Sequence, residues 1–531
     1  MKAKITVAAL VLLMAGSVFA VADNPKTPAT DAGYFIRVAR EVISSIKQRY
    51  RGDSDVNEVS LITAAISALG KWDLNNGGAN ADTIGKLADE KPETVDELAE
   101  LLGKNELDLN WEIATDVAMK GVLEALGDRF THYLTIDEFR QMNAMFEEGL
   151  PAGYGFRLEY VPSTGKTIVG HVLYGTPAWY LGIEIGDEVL TFNGTPVSEF
   201  APTELRGLTS PKEPVECSLS LRKPDWSEPL DYTVPYVDGA LPLAAGAFLA
   251  PDVAYVRTTL YGGDVDKQFR NLVSDMRSKG AKRLIMDIRN NPGGNMMSAI
   301  RIASLMYRDP IVFTRLRSFS ESFGSEDVVK TTALEENFSD MAFVCLVNGS
   351  SASASEMSSG AFQDLKVPII GTRTWGKGCG QATFALESAN WRRMLYMTMS
   401  KYYLPSGRSI HHNGVAPDIE VRDGHPRSHE RLFAAIQNSP LLRSVARRAV
   451  LNDSETVRAA LIERSTELDC VNGYSFLSLR AEAKWGVEAK KLLAPAFWNV
   501  LALEYLLAKG ERPAYNPFDA VIVKALEALP R

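Results

Sequence analysis

The 531-residue chain is poor in the residues that build several common kinds of site. Its four cysteines, Cys217, Cys345, Cys379 and Cys470, are too few and too scattered for a disulfide scaffold or a zinc cluster. Six histidines are present, and His425-x-x-x-His429 has metal-ligand spacing, but no carboxylate pattern completes it. No histidine lies in a turn that suits a Ser-His-Asp triad. Basic charge is not in excess: 57 Lys and Arg against 66 Asp and Glu leave −9, without long runs. That excludes electrostatic capture of nucleic acid, which needs a basic face. Beyond the first twenty or so residues no apolar run is long enough for a bilayer span. Neither an internal repeat nor a low-complexity tract occurs. What is present is 46% apolar residues, enough for packed cores. At about 150 residues per domain the length predicts three or four domains.

The first residues have the pattern of a secretory signal. Lys2 and Lys4 precede an apolar run from Ile5 to Gly16, and Ser17-Val18-Phe19-Ala20 offers small residues for cleavage after Ala20 or Ala22. The expected location is periplasmic or extracellular, with a membrane anchor as the alternative if the signal stays attached. Residues 23–31 read as a linker. Helical periodicity covers 32–69, with a polar Gly/Asn-rich loop expected at 70–93 and helices near 94–102 and 110–126. From about 150 the texture changes to short alternating strands and Gly/Pro turns, at 153–160, 167–173, 187–192 and 215–221. From about 250 strands alternate with helices, which predicts a mostly parallel sheet. Its strands are placed at 252–258, 284–288 and 343–347, and further strands at 367–371, 380–386 and 394–402. After 422 the pattern is helical again. The expected whole is a multidomain α+β protein: signal 1–22, helical region 23–149, β-rich module 150–225, α/β core 240–421 and helical region 422–531.

Four segments carry candidate chemistry. After Val347, Asn348-Gly349-Ser350-Ser351-Ala352-Ser353-Ala354-Ser355-Glu356 forms a strand–turn–helix passage. Such a passage places a serine hydroxyl at the sheet's C-terminal edge, beside helix N–H groups that suit an oxyanion. Read alone, Ser353-x-x-Glu356 is more readily a capping box. Asp287-Ile288-Arg289-Asn290-Asn291-Pro292-Gly293-Gly294 is a second strand–helix turn whose glycines allow close backbone approach, and Asp287 with Arg289 reads as a structural ion pair. Gly371 to Gln381 nearly matches a P-loop. However, Gly378 stands where the magnesium-binding Ser/Thr belongs and a strand follows, so nucleotide binding is rejected. A lysine among glycines can instead be desolvated and act as a base toward serine, with Gln381 on the same strand face to orient it; a solvent-facing hairpin lysine is the plain alternative. Gly153-Tyr154-Gly155-Phe156 has the form of a backbone nest for a peptide carboxylate, or of an ordinary barrel turn.

Taken in order, these segments resemble the C-terminal processing peptidases, or tail-specific proteases, over about 121–421. The resemblance runs through Gly121 to Leu134, a PDZ-like stretch at 150–222, the Asn-Asn-Pro-Gly-Gly turn, Ser-Ala-Ser-Ala-Ser-Glu and Gly-Lys-Gly-x-x-Gln. It implies Ser353 as nucleophile, Lys377 as general base and Gln381 as its orienting group. It also implies an oxyanion hole from the Gly294 and Ala354 N–H groups, and tail binding at Gly153–Phe156. The implied activity is an exported serine endopeptidase acting near protein C-termini without metal or other cofactor. Its partners would be proteins or peptides with free C-termini, with no nucleic acid and no nucleotide. An inactive PDZ-containing peptide-binding scaffold on the same fold is the alternative. The Ser-to-Lys segment is one residue shorter than the family's usual spacing. Apolar Leu493, Phe497, Leu501, Leu506 and Leu507 predict packing, homo-oligomer contacts or an adaptor surface for 422–531.

Overall fold

The computed structural model describes residues 31–140 apart from Glu106, 151–318, 327–422, 434–462, 487–509 and 519–530. Short breaks fall at 162–163, 173–175, 202–203, 210, 212, 224–225 and 241, and within 463–486 only Leu468, Val471 and Leu477 are described. The signal at 1–22, His425, His429 and Cys470 lie outside the described residues. No helix among the described residues is long and apolar enough to cross a membrane. The chain divides into two compact units, and the segment 240–421 contributes to both: 311–331 and 376–413 join the first unit and the rest joins the second.

In the first unit, helices Ala32–Arg49, Glu58–Asn75, Val95–Lys104 and Trp111–Glu124 each begin at a side-chain cap, Asp31, Asn57, Thr94 and Asn110. Their apolar stripes bury Phe35, Val38, Val42 and Ile46 against Leu61, Ile62 and Ala65, with Ala114, Ala118 and Val122 completing the cluster. Gly121 lets two of these helices approach, since a Cβ there would lie 2.5 Å from Ala68 Cβ. The loop expected at 70–93 instead holds the end of one helix and a further helix, Ala81–Asp89. Its polar residues satisfy one another: Asn80 donates from its backbone N–H and side chain to Asp73, both at 3.0 Å. Ile84 and Leu87 then turn inward. The unit's sheet is antiparallel and centred on the long strand Arg393–Tyr403. Cys379–Ala385 pairs along one edge, while His132–Thr135 and Val312–Ser318 share the other.

The second unit contains the small β module, the parallel sheet and the C-terminal helices. In the module, strands Phe156–Val161, Lys166–Val172, Glu188–Phe192, Cys217–Arg222 and Leu230–Val234 follow one another in antiparallel order, leaving Phe156–Val161 as an edge. The main sheet runs Ala244–Ala250, Val253–Thr258, Arg283–Asp287, Ala342–Val347, Ile369–Gly371, Ile419–Glu420; only its first pair is antiparallel. Helices Val265–Ser278, Met296–Met306 and Ala354–Asp364 connect its parallel strands, as βαβ crossovers require. Leu493, Phe497, Leu501 and Leu506 are buried in one cluster with Leu442 and Ala446 and with Tyr180, Leu181 and Leu219 of the β module. Core packing therefore accounts for these four side chains. The last helix, Ala520–Ala528, lies on the main sheet through Val521, Ile522 and Ala525.

Candidate active site

Parallel strands Arg283–Asp287 and Ala342–Val347 end at one sheet edge, where ligands of open α/β sheets bind. The two turns that leave this edge bind each other. Asn290 N–H donates to Asn348 Oδ1 (2.9 Å), and Asn348 Nδ2 returns a bond to Asn290 Oδ1 (2.9 Å). Asn291 supplies its main-chain oxygen to both Ala352 N–H (3.0 Å) and Ser355 Oγ (2.8 Å). Its side chain accepts from Gly293 N–H at 2.9 Å.

This bracing separates the three alternating serines, which their local sequence does not. Ser351 is fully buried and donates to Ile288 O (2.8 Å); Ser355 is fully buried and committed to Asn291 O. Ser353 is partly exposed and has φ 57° and ψ −116°, a region that L-residues rarely occupy and that marks stored strain. The strain is held in place from both sides. Glu356, fully buried, accepts Ser353 N–H (2.9 Å) and Thr374 Oγ1 (2.5 Å), closing the acidic half of the capping box. Thr374 is fixed in turn by Val415 N–H (2.6 Å), and Trp375 N–H donates to Ser351 O (3.0 Å).

Opposite Ser353 stands the glycine turn. Gly293 has φ 96°, and a Cβ on it would lie 2.6 Å from Ala352 O and 2.8 Å from both Ala354 N and Ser353 Cβ. Only glycine permits that approach. Tyr261 holds the turn by donating to Gly293 O (2.8 Å) and accepting from Asn295 N–H (2.6 Å). Neither Gly294 N–H nor Ala354 N–H, the latter at a helix N-terminus, has an acceptor among the described residues. Two such donors beside a hydroxyl are what a tetrahedral oxyanion needs. Beneath the turn, Asp287 is fully buried and paired with Arg257 (3.2 Å) and Arg289 (2.7 Å). Burial opposes its charge, but the two guanidinium groups prevail and lower its pKa to about 2.

Lys377 and Gln381 belong to the first unit. Lys377 Nζ lies 4.7 Å from the centre of the Phe130 ring, a cation–π contact, and its main-chain oxygen accepts from Tyr402 Oη. Gly378 N–H donates to His411 Nδ1 (3.2 Å). The Gln381 amide, expected to orient the lysine, donates to Cys379 Sγ (3.3 Å) and Thr398 Oγ1 (3.1 Å), and the strand register shifts between Gly380 and Gln381. Burial raises the Cys379 thiol pKa, with the nearby Lys377 charge opposing. Cys217, Cys345 and Cys379 are all free thiols. Sequence reasoning missed the contacts of Phe130, Tyr402 and His411 with the Lys377 segment, because all three lie far from it along the chain.

Asp53, His411 and His412 bring three potential metal-ligand atoms together. Their geometry is that of a hydrogen-bonded cluster. His411 Nδ1 accepts from Gly378 N–H, so its proton sits on Nε2, 2.9 Å from Asp53 Oδ2. His412 reaches the same oxygen at 2.7 Å, and Lys401 Nζ bonds the other at 2.5 Å. Metal binding would require the Nε2 proton to leave.

In the β module, Gly153 has φ 130° and Gly155 φ 85°, and a Cβ on Gly155 would lie 1.9 Å from Thr176 Oγ1. Tyr154 is buried, donates to Val215 O (2.8 Å) and crosses Tyr236 edge-on; it belongs to the core and does not line a groove with its side chain. The N–H groups of Tyr154 and Gly155 have no acceptor among the described residues and open onto edge strand Phe156–Val161.

Residues 252–421 match peptidase family S41. A "Carboxyl-terminal-processing protease" of Synechocystis is 28% identical over 314 residues, 58% of this chain and 71% of that protein. "Carboxyl-terminal-processing peptidase 3, chloroplastic" of Arabidopsis thaliana is 28% identical over 325 residues, 58% of this chain and 60% of that protein. Among solved structures, a photosystem II D1 C-terminal processing protease superposes with a TM-score of 0.53 at 21% identity, covering 74% of this chain and 94% of that one, a likeness of fold.

Proposed function

Given that the chain carries a peptidase of family S41 in residues 252–421, we propose that it is an exported serine endopeptidase that cleaves proteins near their C-termini through a Ser353–Lys377 dyad. The observation that carries this reading is the strained, partly exposed Ser353 beside two N–H donors without acceptors, Gly294 and Ala354. Ser353 Oγ attacks the scissile carbonyl and gives its proton to Lys377 Nζ. The two N–H groups take the oxyanion. Collapse of the intermediate forms the acyl-enzyme, with Lys377 returning the proton to the departing amine; a water deprotonated by Lys377 then releases the acid. The face of Phe130 positions the Lys377 amine, and Gln381 fixes the strand beyond it. The β module acts as a PDZ domain: a substrate tail adds to Phe156–Val161 as a strand, and its carboxylate meets the Tyr154 and Gly155 N–H groups. Export follows from the Lys2/Lys4 and Ile5–Gly16 pattern.

The test compares wild type, Ser353→Ala and Lys377→Ala on an unfolded protein with an apolar tail, its C-terminus free or amidated. Wild type alone should cleave, each variant losing about 10⁴-fold or more, and amidation should slow cleavage. Equal cleavage by all three overturns the dyad. No cleavage by wild type favours a peptide-binding scaffold.

A further inference from the structure

Asp287, Arg257 and Arg289 sit at the root of the glycine turn, each at most 2% exposed. All three lie within the S41 match. Buried charges are costly unless they are paired. One further carboxylate that pairs here comes from far outside the match. Asp519 meets Arg289 through Nη1–Oδ1 at 3.0 Å and Nη2–Oδ2 at 2.6 Å, with its side chain 13% exposed. The same carboxylate caps helix Ala520–Ala528, accepting Val521 N–H (2.9 Å) and Ile522 N–H (3.2 Å). That helix buries Val521, Ile522 and Ala525 on Val253, Tyr255, Ile285 and Val344 of the catalytic sheet. The cluster also grips the turn's backbone: Asp287 Oδ1 accepts Arg289 N–H (2.9 Å) and Arg257 Nη2 donates to Arg289 O (3.0 Å).

We infer that Asp519 is a positioning residue of the peptidase, which through its paired bonds holds Arg289 and, through it, the turn bearing Gly293 and Gly294. The claim rests on the function proposed above. A domain bounded at residue 421 would lack both the Asp519 carboxylate and the packing of Val521, Ile522 and Ala525 on the sheet.

The test measures kcat, KM and the rate at which a fluorophosphonate labels Ser353 in the full chain. Asp519→Asn removes the charge and keeps a competent helix cap. Ile522→Ala loosens the same helix and leaves the charge. Well below the melting temperature of every variant, Asp519→Asn should lower kcat and labelling by about tenfold with KM within twofold, because small displacements of oxyanion donors act on the chemical step. Asp519→Glu should recover a large part, and Arg289→Gln should mask the effect of Asp519→Asn. Ile522→Ala should lower the melting temperature with kcat within twofold. Unchanged kcat in Asp519→Asn, or an equal loss in Ile522→Ala, overturns the inference. A wild type that neither labels nor cleaves instead overturns the peptidase reading beneath it.

Discussion

Ser353 and Lys377 are supported in different ways. Around Ser353 two turns are stitched together by Asn290, Asn291, Asn348, Ser351 and Ser355, and nearly every bond involves backbone. Around Lys377 the backbone is held by Tyr402 on its carbonyl and His411 on the next N–H, and the ammonium rests on an aromatic ring. An oxyanion hole is made of fixed dipoles, and its value lies in their not moving during reaction. A base has only to reach one proton with a suitable pKa. The serine side should therefore fail abruptly under substitution and the lysine side by degrees.

Gly293→Ala should show the abrupt failure best. Its Cβ would meet the backbone oxygen of Ala352 at 2.6 Å in a φ of 96°. Turnover should fall by about 100-fold or more, as for loss of an oxyanion donor. A variant within tenfold of wild type would show that the turn yields. Asn291→Ala should follow. Gly293 N–H loses its acceptor, and calorimetry should find a loss of about 1–3 kcal/mol, with reduced kcat.

On the lysine side the effect should be graded by pH. Burial holds the His411 pKa below its ordinary value of 6.5, although Asp53 opposes this; His412 and Lys401 favour the same lowering. Below about pH 6.5 the unfolded chain binds a proton that the folded His411 refuses. Stability from this group is therefore full above that pH and declines as pH falls toward the folded value. Protonation also places a hydrogen on Nδ1, facing Gly378 N–H. The Gly378 amide resonance should titrate with His411. His411→Asn, which offers a non-titrating acceptor, should flatten that part of the acid limb of kcat/KM. An unchanged limb would remove His411 from the account. Tyr402→Phe should be mildest, about 1 kcal/mol in melting and less than tenfold in kcat, since one neutral hydrogen bond is lost.

The sequence periodicities marked most elements of the second unit, because Leu284 to Ile288 and Phe343 to Val347 are continuous apolar runs bounded by turn residues. The partition of the chain was not legible. Strands Val312–Ser318, Cys379–Ala385 and Arg393–Tyr403 leave the parallel sheet for a separate antiparallel one, and no local pattern states which sheet a strand will join. The helix Ala81–Asp89 was hidden by its polar neighbours, whose bonds to Asp73 form only in the fold. Within Ser351-Ala352-Ser353-Ala354-Ser355, propensity is uniform, and only the carbonyls of Ile288 and Asn291 distinguish the outer serines from the middle one.

The backbone angles of Ser353 set the needs of folding against those of chemistry. They are the mirror image of extended chain, which glycine occupies freely and an L-residue does not. Replacing Ser353 by glycine should therefore give a more stable protein than replacing it by alanine, by about 1 kcal/mol, with both inactive. A melting comparison of the two variants measures what a Cβ costs at that backbone. Position 353 thus carries a side chain against the preference of its own backbone.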